Sequence, residues 1–155
     1  MRWKSLLYCG VLLICGFGAV QAQSRESLAL VSGRPGGMCV YELRFVTPDT
    51  LLPEAALELV LPRPFDVSRV QLASSDVIKG GFAVHVSTDT VRIVRSGRGP
   101  TVEPGVAVDL KVAAVGAPKA MPAGAMATLR IFPRGKHASH LVLVPVTNDT
   151  TRVIR

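Results

Sequence analysis

The chain has 155 residues, and its 18 lysines and arginines outnumber its 11 aspartates and glutamates, giving a formal net charge of +7 at pH 7. The basic residues are spread along the chain, and aromatic residues make up only 5% of it. This pattern disfavours a nucleic-acid-binding protein, which would carry basic runs interleaved with aromatics. It predicts a solvated basic surface. The alternative is a surface that binds an acidic envelope polymer or anionic lipid headgroups.

The first 22 residues have the pattern of an export signal. Arg2 and Lys4 form a basic start, residues 6–20 form an apolar run, and small residues follow at the cleavage spacing. The apolar run is shorter than the roughly 20 residues needed to span a bilayer, so we expect cleavage before Gln23 and no stable membrane span afterwards. The protein is therefore expected to be exported, to the periplasm, the cell surface or the extracellular space.

Removing 22 of the 155 residues leaves 133, which is enough for one domain with its own core. We expect a single domain over residues 23–155, with its core at about 26–146 and a short C-terminal tail. Loss of the leader also removes Cys9 and Cys15, so Cys39 has no internal disulfide partner. The sequence predicts a buried Cys39 that acts as a small hydrophobe rather than a nucleophile or a bridge between chains.

Short apolar runs, separated by Gly and Pro about every ten residues, predict eight to nine β-strands. The clearest alternation runs over residues 38–47, where every second residue from Cys39 to Phe45 is apolar while Glu42 and Arg44 point the other way. In the segment 67–73 the same reasoning places Val70 and Leu72 inward. The expected strands in chain order lie near residues 28–30 and at 38–47, 56–61, 67–73, 82–87, 90–95, 105–114, 127–132 and 140–146.

Residues 82–95 are predicted to form a hairpin that turns at Thr88 and Asp89. With the turn placed there, apolar side chains face apolar ones and polar face polar. This pairing would bury the four apolar side chains and make the hairpin one wall of the core. The expected pairs are Val86 with Val91, Val84 with Ile93, and His85 with Arg92.

The number of strands and their alternation favour an all-β fold in which two antiparallel sheets pack face to face. The order of segments from Tyr41 to Arg130 also resembles the immunoglobulin-like modules repeated in large bacterial extracellular and surface proteins. The matching pieces are YELRFVTPDTLLP, LELVLPRPFDVS, IKGGFAVHVS, TVRIVR and VAVDLKVAAV. The resemblance implies an immunoglobulin-like β-sandwich that serves as a spacer, adhesive unit or assembly piece, without catalysis. Two departures are the single copy and the absence of glycine from the turn at Thr88 and Asp89.

Three histidines are the weak candidates for a metal site. His137 and His140 lie three residues apart, and His85 could join them, since three imidazoles would suit zinc. No acidic residue is near the pair in sequence, and Lys136 lies beside it. We therefore expect no metal and no other cofactor.

The leading hypothesis is a non-enzymatic structural, adhesive or assembly component of the bacterial cell envelope that binds another envelope or extracellular protein. The expected contact residues are Arg44, Arg92 and Arg130, if they share a sheet face, and an edge strand over residues 141–146 that includes Leu141 and Leu143 and could exchange a strand with a partner. The alternative is a secreted carbohydrate-binding module that recognises a polysaccharide. The best candidate for an exposed aromatic ring that stacks on a sugar is Phe132, because the alternation places it on the opposite face from Leu129 and Ile131.

Overall fold

The computed structural model describes residues 26–135, 137–138 and 140–148. The expected signal peptide at residues 1–22 and residues 149–155 of the expected C-terminal tail lie outside the described residues. Within the described ranges no helix is long and apolar enough to cross a membrane.

The described residues form nine β-strands, which confirms the prediction of an all-β chain with eight to nine strands. The segments between successive strands contain glycine or proline, as the sequence pattern predicted, except for the turn at Thr88 and Asp89. The strands are β1 (Ser27–Ser32), β2 (Met38–Val46), β3 (Ala56–Val60), β4 (Leu72–Ser74), β5 (Phe82–Ser87), β6 (Thr90–Arg95), β7 (Ala107–Gly116), β8 (Met126–Phe132) and β9 (His140–Thr147).

The strands form an immunoglobulin-like β-sandwich. The first sheet has the order β4-β7-β2-β1 and the second has the order β9-β8-β3-β6-β5. A short parallel pairing of β1 with β9, at Leu28 with Val146 and Ala29 with Thr147, joins the two sheets along one side. The other strand pairs are antiparallel.

Alternate side chains of both sheets fill the core between them, as period-two alternation requires. On β2 the four predicted inward residues, Cys39, Tyr41, Leu43 and Phe45, are each no more than 2% exposed. The thiol of Cys39 donates to the carbonyl of Arg34 at 3.2 Å, and burial raises the pKa of this thiol. The prediction of a buried Cys39 is confirmed.

The hairpin of β5 and β6 has the predicted register at all three pairs. Thr88 takes a φ of +51° at the turn and so occupies the left-handed region that glycine usually fills. Val91 and Ile93 are buried, as expected. The predicted burial of Val84 and Val86 is wrong in degree, because β5 is the last strand of its sheet and its inward side chains are only partly covered.

The inward orientation predicted for Leu72 is also wrong, since this side chain is 63% exposed. The chain turns at residues 67–70, where the amide of Val70 donates to the carbonyl of Val67 at 3.0 Å. Alternation counted from Val70 therefore does not continue into β4, whose inward residue is Ala73.

Arg95 holds three loops at one end of the sandwich. This arginine is 4% exposed, and its guanidinium donates to four backbone carbonyls. The acceptors are Leu51 at 2.9 Å, Leu52 at 2.7 Å, Pro100 at 2.5 Å and Lys79 at 3.5 Å.

Candidate interaction surface

The outward side chains of the second sheet form one surface, which we call the outer face. Across its middle runs a row of directly paired residues, one from each of the five strands. We call this row the charged row. Its members, from β5 to β9, are His85, Arg92, Glu58, Arg130 and Leu141.

Glu58 lies between the two arginines of the charged row. Nη1 of Arg92 is 2.6 Å from one carboxylate oxygen, whereas Nη1 of Arg130 is 3.7 Å from the other. Arg92 also donates to the carbonyl of Gly135 at 3.2 Å, so its guanidinium is fixed on two sides. The side chain of Arg130 is 47% exposed and has the longer contact. Arg130 is therefore free to bind a second carboxylate.

Phe132 does not form an exposed platform, which corrects the prediction made for a carbohydrate-binding module. It does point to the outer face, as its alternation indicated, but it is only 9% exposed. The guanidinium carbon of Arg92 covers it, 4.7 Å from the ring centroid. Among the described residues every aromatic ring is buried or only partly exposed, so this surface offers no flat ring for a sugar.

Three exposed apolar side chains lie at the β9 end of the charged row, and we call them the apolar strip. Leu141 is 63% exposed, Leu143 is 60% and Met126 is 41%. Leu141 is paired with Arg130 of β8, Leu143 with Thr128, and Met126 with Pro145 of β9. The strip therefore runs along β9 and β8 with a cation at one end.

The structure brings together four of the five predicted contact residues. Arg92, Arg130, Leu141 and Leu143 lie on the outer face, because their strands belong to the second sheet. Arg44 lies on β2 in the first sheet, where it pairs with Glu42. The expectation that the three arginines share a sheet face holds only for Arg92 and Arg130.

The three histidines considered as candidates for a metal site are not brought together. His85 lies on β5 and His140 on β9, and three strands separate them, or roughly 19 Å at the usual spacing between strands. His137 is exposed in the loop before β9. In the part of the chain that the structure describes, no three His, Cys, Asp or Glu side chains are arranged to hold a metal ion.

A groove on the outside of the first sheet was not anticipated from the sequence. It has a volume of about 860 Å³ and is lined by five charged side chains together with Val46, Val77 and Ala107. The charges pair with one another: Lys111 lies 2.9 Å from Asp76 and 3.7 Å from Asp109, and Arg44 bonds Glu42. The bond to Lys111 lowers the pKa of Asp76 and raises that of Lys111. These contacts fix the loop at residues 75–78 to the sheet.

No protein-family model matches the sequence, and no curated protein does. Several solved structures resemble the fold. A Nocardia farcinica protein described as having an immunoglobulin-like fold is 17% identical over 76% of this chain and 81% of its own, with a TM-score of 0.45.

A non-cellulosomal cohesin from Archaeoglobus fulgidus is 12% identical over 80% of this chain and 92% of its own, with a TM-score of 0.43. A GH20 exo-β-N-acetylglucosaminidase from Vibrio harveyi is 13% identical over 79% of this chain but only 18% of its own, with a TM-score of 0.39. These likenesses concern the fold alone, and the strand order and register described above define it independently.

Proposed function

We propose that this protein is an exported, non-enzymatic module of the bacterial cell envelope that binds another protein through the outer face of the second sheet. The apolar strip beside Arg130 carries this proposal. Scattered single apolar residues are normal on a protein surface, but here three lie together on two paired strands. One of them, Leu141, is paired with Arg130, which has spare hydrogen-bonding capacity. Apolar side chains and arginine together are typical of the centres of protein–protein interfaces.

Export is supported by the pattern of the first 22 residues. The proposed mature chain, residues 23–155, would fold as one domain and would retain only Cys39, which is buried. Sequencing the N-terminus of the protein purified from its native cells tests this step. We expect Gln23 as the first residue, and a retained Met1 would contradict export by a cleaved signal.

A non-enzymatic role is supported by the way the charged residues are used. On the outer face Glu58 is bound by two arginines, and in the groove Lys111 and Arg44 neutralise neighbouring carboxylates. These carboxylates are engaged with cationic side chains, whereas a general acid or base must be positioned to exchange a proton with a substrate.

Binding can be tested by comparing which envelope proteins the wild type and surface variants retain. The test variant is Leu141→Ser with Leu143→Ser, which removes most of the apolar strip. The matched control is Leu72→Ser, because Leu72 is equally exposed at 63% but lies on the first sheet. We expect the same partner to be retained by the wild type and by the control and lost by the double variant. Retention by all three would contradict the proposed surface.

A further inference from the structure

The backbone of β9 turns one set of hydrogen-bonding groups towards β8 and the other set away from it. The amide of Val146 donates to the carbonyl of Ala125, at 3.0 Å. In an antiparallel ladder the groups that face the neighbouring strand recur at every second residue, so Val144 and Val142 also face β8. The N–H and C=O groups of Leu141 and Leu143 therefore point to the opposite side.

Within the part of the chain that the structure describes, that opposite side is an unpaired edge over part of β9. The pairing with β1 covers only Val146 and Thr147. Among the described residues, none pairs with Leu141 or Leu143 on this side. The two leucines thus have about four backbone hydrogen-bonding groups that no described residue pairs with, in the spacing that one antiparallel strand requires.

We propose that this edge accepts an extended segment of another protein as an added antiparallel strand. The inference rests on the proposed function and specifies how the partner binds. In this arrangement the backbone groups of Leu141 and Leu143 bond the segment, and their side chains pack against its two opposing residues on the outer face. These opposing residues are apolar, because both leucines are more than half exposed without a partner.

Pro145 sets one end of the added strand. It has the same backbone orientation as Leu141 and Leu143, but it has no N–H to donate. A proline is tolerated at an edge where its missing donor faces away from the sheet. The ladder therefore ends before residue 145, which limits the hydrogen-bonded part of the segment to about five residues, an ordinary strand length.

Charge complementarity indicates that the segment is acidic. The charged row carries two arginines for one glutamate, and residues 140–147 contain no carboxylate. Without Arg2 and Lys4 of the expected leader, residues 23–155 have 16 lysines and arginines against 11 aspartates and glutamates, a net charge of +5. Carboxylates that flank the two apolar residues would be attracted to this side of the sheet, and one of them could bond Arg130.

Peptide binding followed by NMR at the Leu141 and Leu143 amides tests the proposal directly. The first probe is the blocked peptide Glu-Thr-Val-Thr-Val-Thr-Glu, whose outward residues are Glu, Val, Val and Glu. The second replaces both Glu by Lys, and the third carries N-methyl groups on both Val. We expect the first probe to shift both amides and to bind at least tenfold more tightly than the other two. Equal binding of the N-methylated peptide, or no shift at these amides, would overturn the proposal.

Two variants separate the backbone contribution from that of the side chain. Leu143→Pro removes the outward N–H that β8 does not use, whereas Leu143→Ala keeps this N–H and shortens the side chain. We expect the proline variant to lose the first probe and the alanine variant to bind it less than tenfold more weakly than the wild type. If Leu143→Pro retains the envelope partner that the double serine variant loses, the outer face binds the partner but strand addition is wrong.

Hydrogen exchange in the isolated protein examines the other possible occupants of the edge. We expect the Leu141 and Leu143 amides to exchange much faster than those of Val142 and Val144. Protection that does not depend on protein concentration would mean that another part of this chain covers the edge. Protection that increases with concentration would mean that a second copy does. Either result would overturn the proposal.

Discussion

The guanidinium of Arg92 lies over the ring of Phe132, with its central carbon 4.7 Å from the ring centroid. Together with the bonds to Glu58 and to the carbonyl of Gly135, this contact fixes Arg92 in place. Arg130, on the other side of Glu58, has one longer contact and remains about half exposed. Two arginines of the same row thus have different roles: Arg92 covers the sheet, and Arg130 is available to a partner.

Replacing these two arginines should have different effects on stability. Arg92→Ala removes the cation–π contact and the short ion pair and exposes Phe132, so we expect it to lower the free energy of unfolding by about 1–2 kcal/mol. Arg130→Ala should lower it by less than about 0.5 kcal/mol, because an exposed ion pair contributes little. Urea unfolding of both variants checks this difference, and equal losses would contradict the roles assigned to the two arginines.

Arg95 should be the most sensitive charged residue of the fold. Arg95→Ala removes a side-chain donor from four backbone carbonyls in a nearly buried site. The carbonyls of Leu51 and Leu52 keep backbone donors, the amides of Val102 and Ala55. Among the described residues the carbonyls of Lys79 and Pro100 have no other donor, so we expect a loss of about 3–5 kcal/mol. Arg98→Ala, in an exposed position of the following loop, is the control and should stay within about 0.5 kcal/mol of the wild type. Thermal and urea unfolding measure both changes. A small effect at Arg95 would mean that water replaces the guanidinium readily.

Gly99 and Gly37 both lack a positive φ, so replacing each by alanine tests how tightly the backbone of its loop is packed. A Cβ at Gly99 would overlap the backbone carbonyl of Lys79, whereas a Cβ at Gly37 would lie 3.4 Å from the nearest atom, the carbonyl oxygen of Arg34. We expect Gly99→Ala to cost about 2–4 kcal/mol, because backbone must move, and Gly37→Ala to cost less than about 1 kcal/mol. The melting temperatures of the two variants test this ranking. A smaller loss of stability in Gly99→Ala than in Gly37→Ala would contradict it.

The buried Cys39 should make the fold sensitive to alkali. Burial raises the pKa of its thiol, so the unfolded chain loses this proton at a lower pH than the folded chain. The folded state then binds more protons, and the free energy of unfolding decreases as the pH rises above the unfolded value of about 8.5. Cys39→Ala should remove this contribution to the slope of the free energy of unfolding against pH between pH 8 and 10. The expectation concerns the slope and does not depend on how the substitution changes stability at pH 7. Identical slopes in the two proteins would contradict a raised pKa.

Accessibility of the same thiol gives an independent measurement. In the native protein we expect labelling of Cys39 by a thiol reagent to be at least about a hundred times slower than in urea, because opening of a core position requires unfolding. Rapid labelling of the native protein would place Cys39 at the surface.

The sequence predicted local structure well where residues close in sequence determine which way a side chain points. The register of the hairpin followed from pairing Val86 with Val91 around a two-residue turn, and β2 followed from simple alternation. Leu72 was placed wrongly because an intervening turn resets the alternation, which residue types alone did not reveal.

The interaction surface was predicted only in part, because it depends on which strands become neighbours. The sequence identified Arg130 and Leu141, but only the pairing of β8 with β9 shows that they are adjacent. Phe132 was expected to be exposed because its cover, Arg92, lies 40 residues away in sequence. The separation of Arg44 from the other arginines likewise follows from sheet order, which alternation within single strands cannot give.

Site-specific photo-crosslinking in the native cells tests the outer face most directly. A photoreactive residue would be placed at position 141, at position 143 or, as the matched control, at position 72 on the first sheet. We predict that positions 141 and 143 form a covalent adduct with the same protein and that position 72 does not. Adducts at position 72 without any at 141 or 143 would contradict the central claim, since the partner would then bind the opposite sheet.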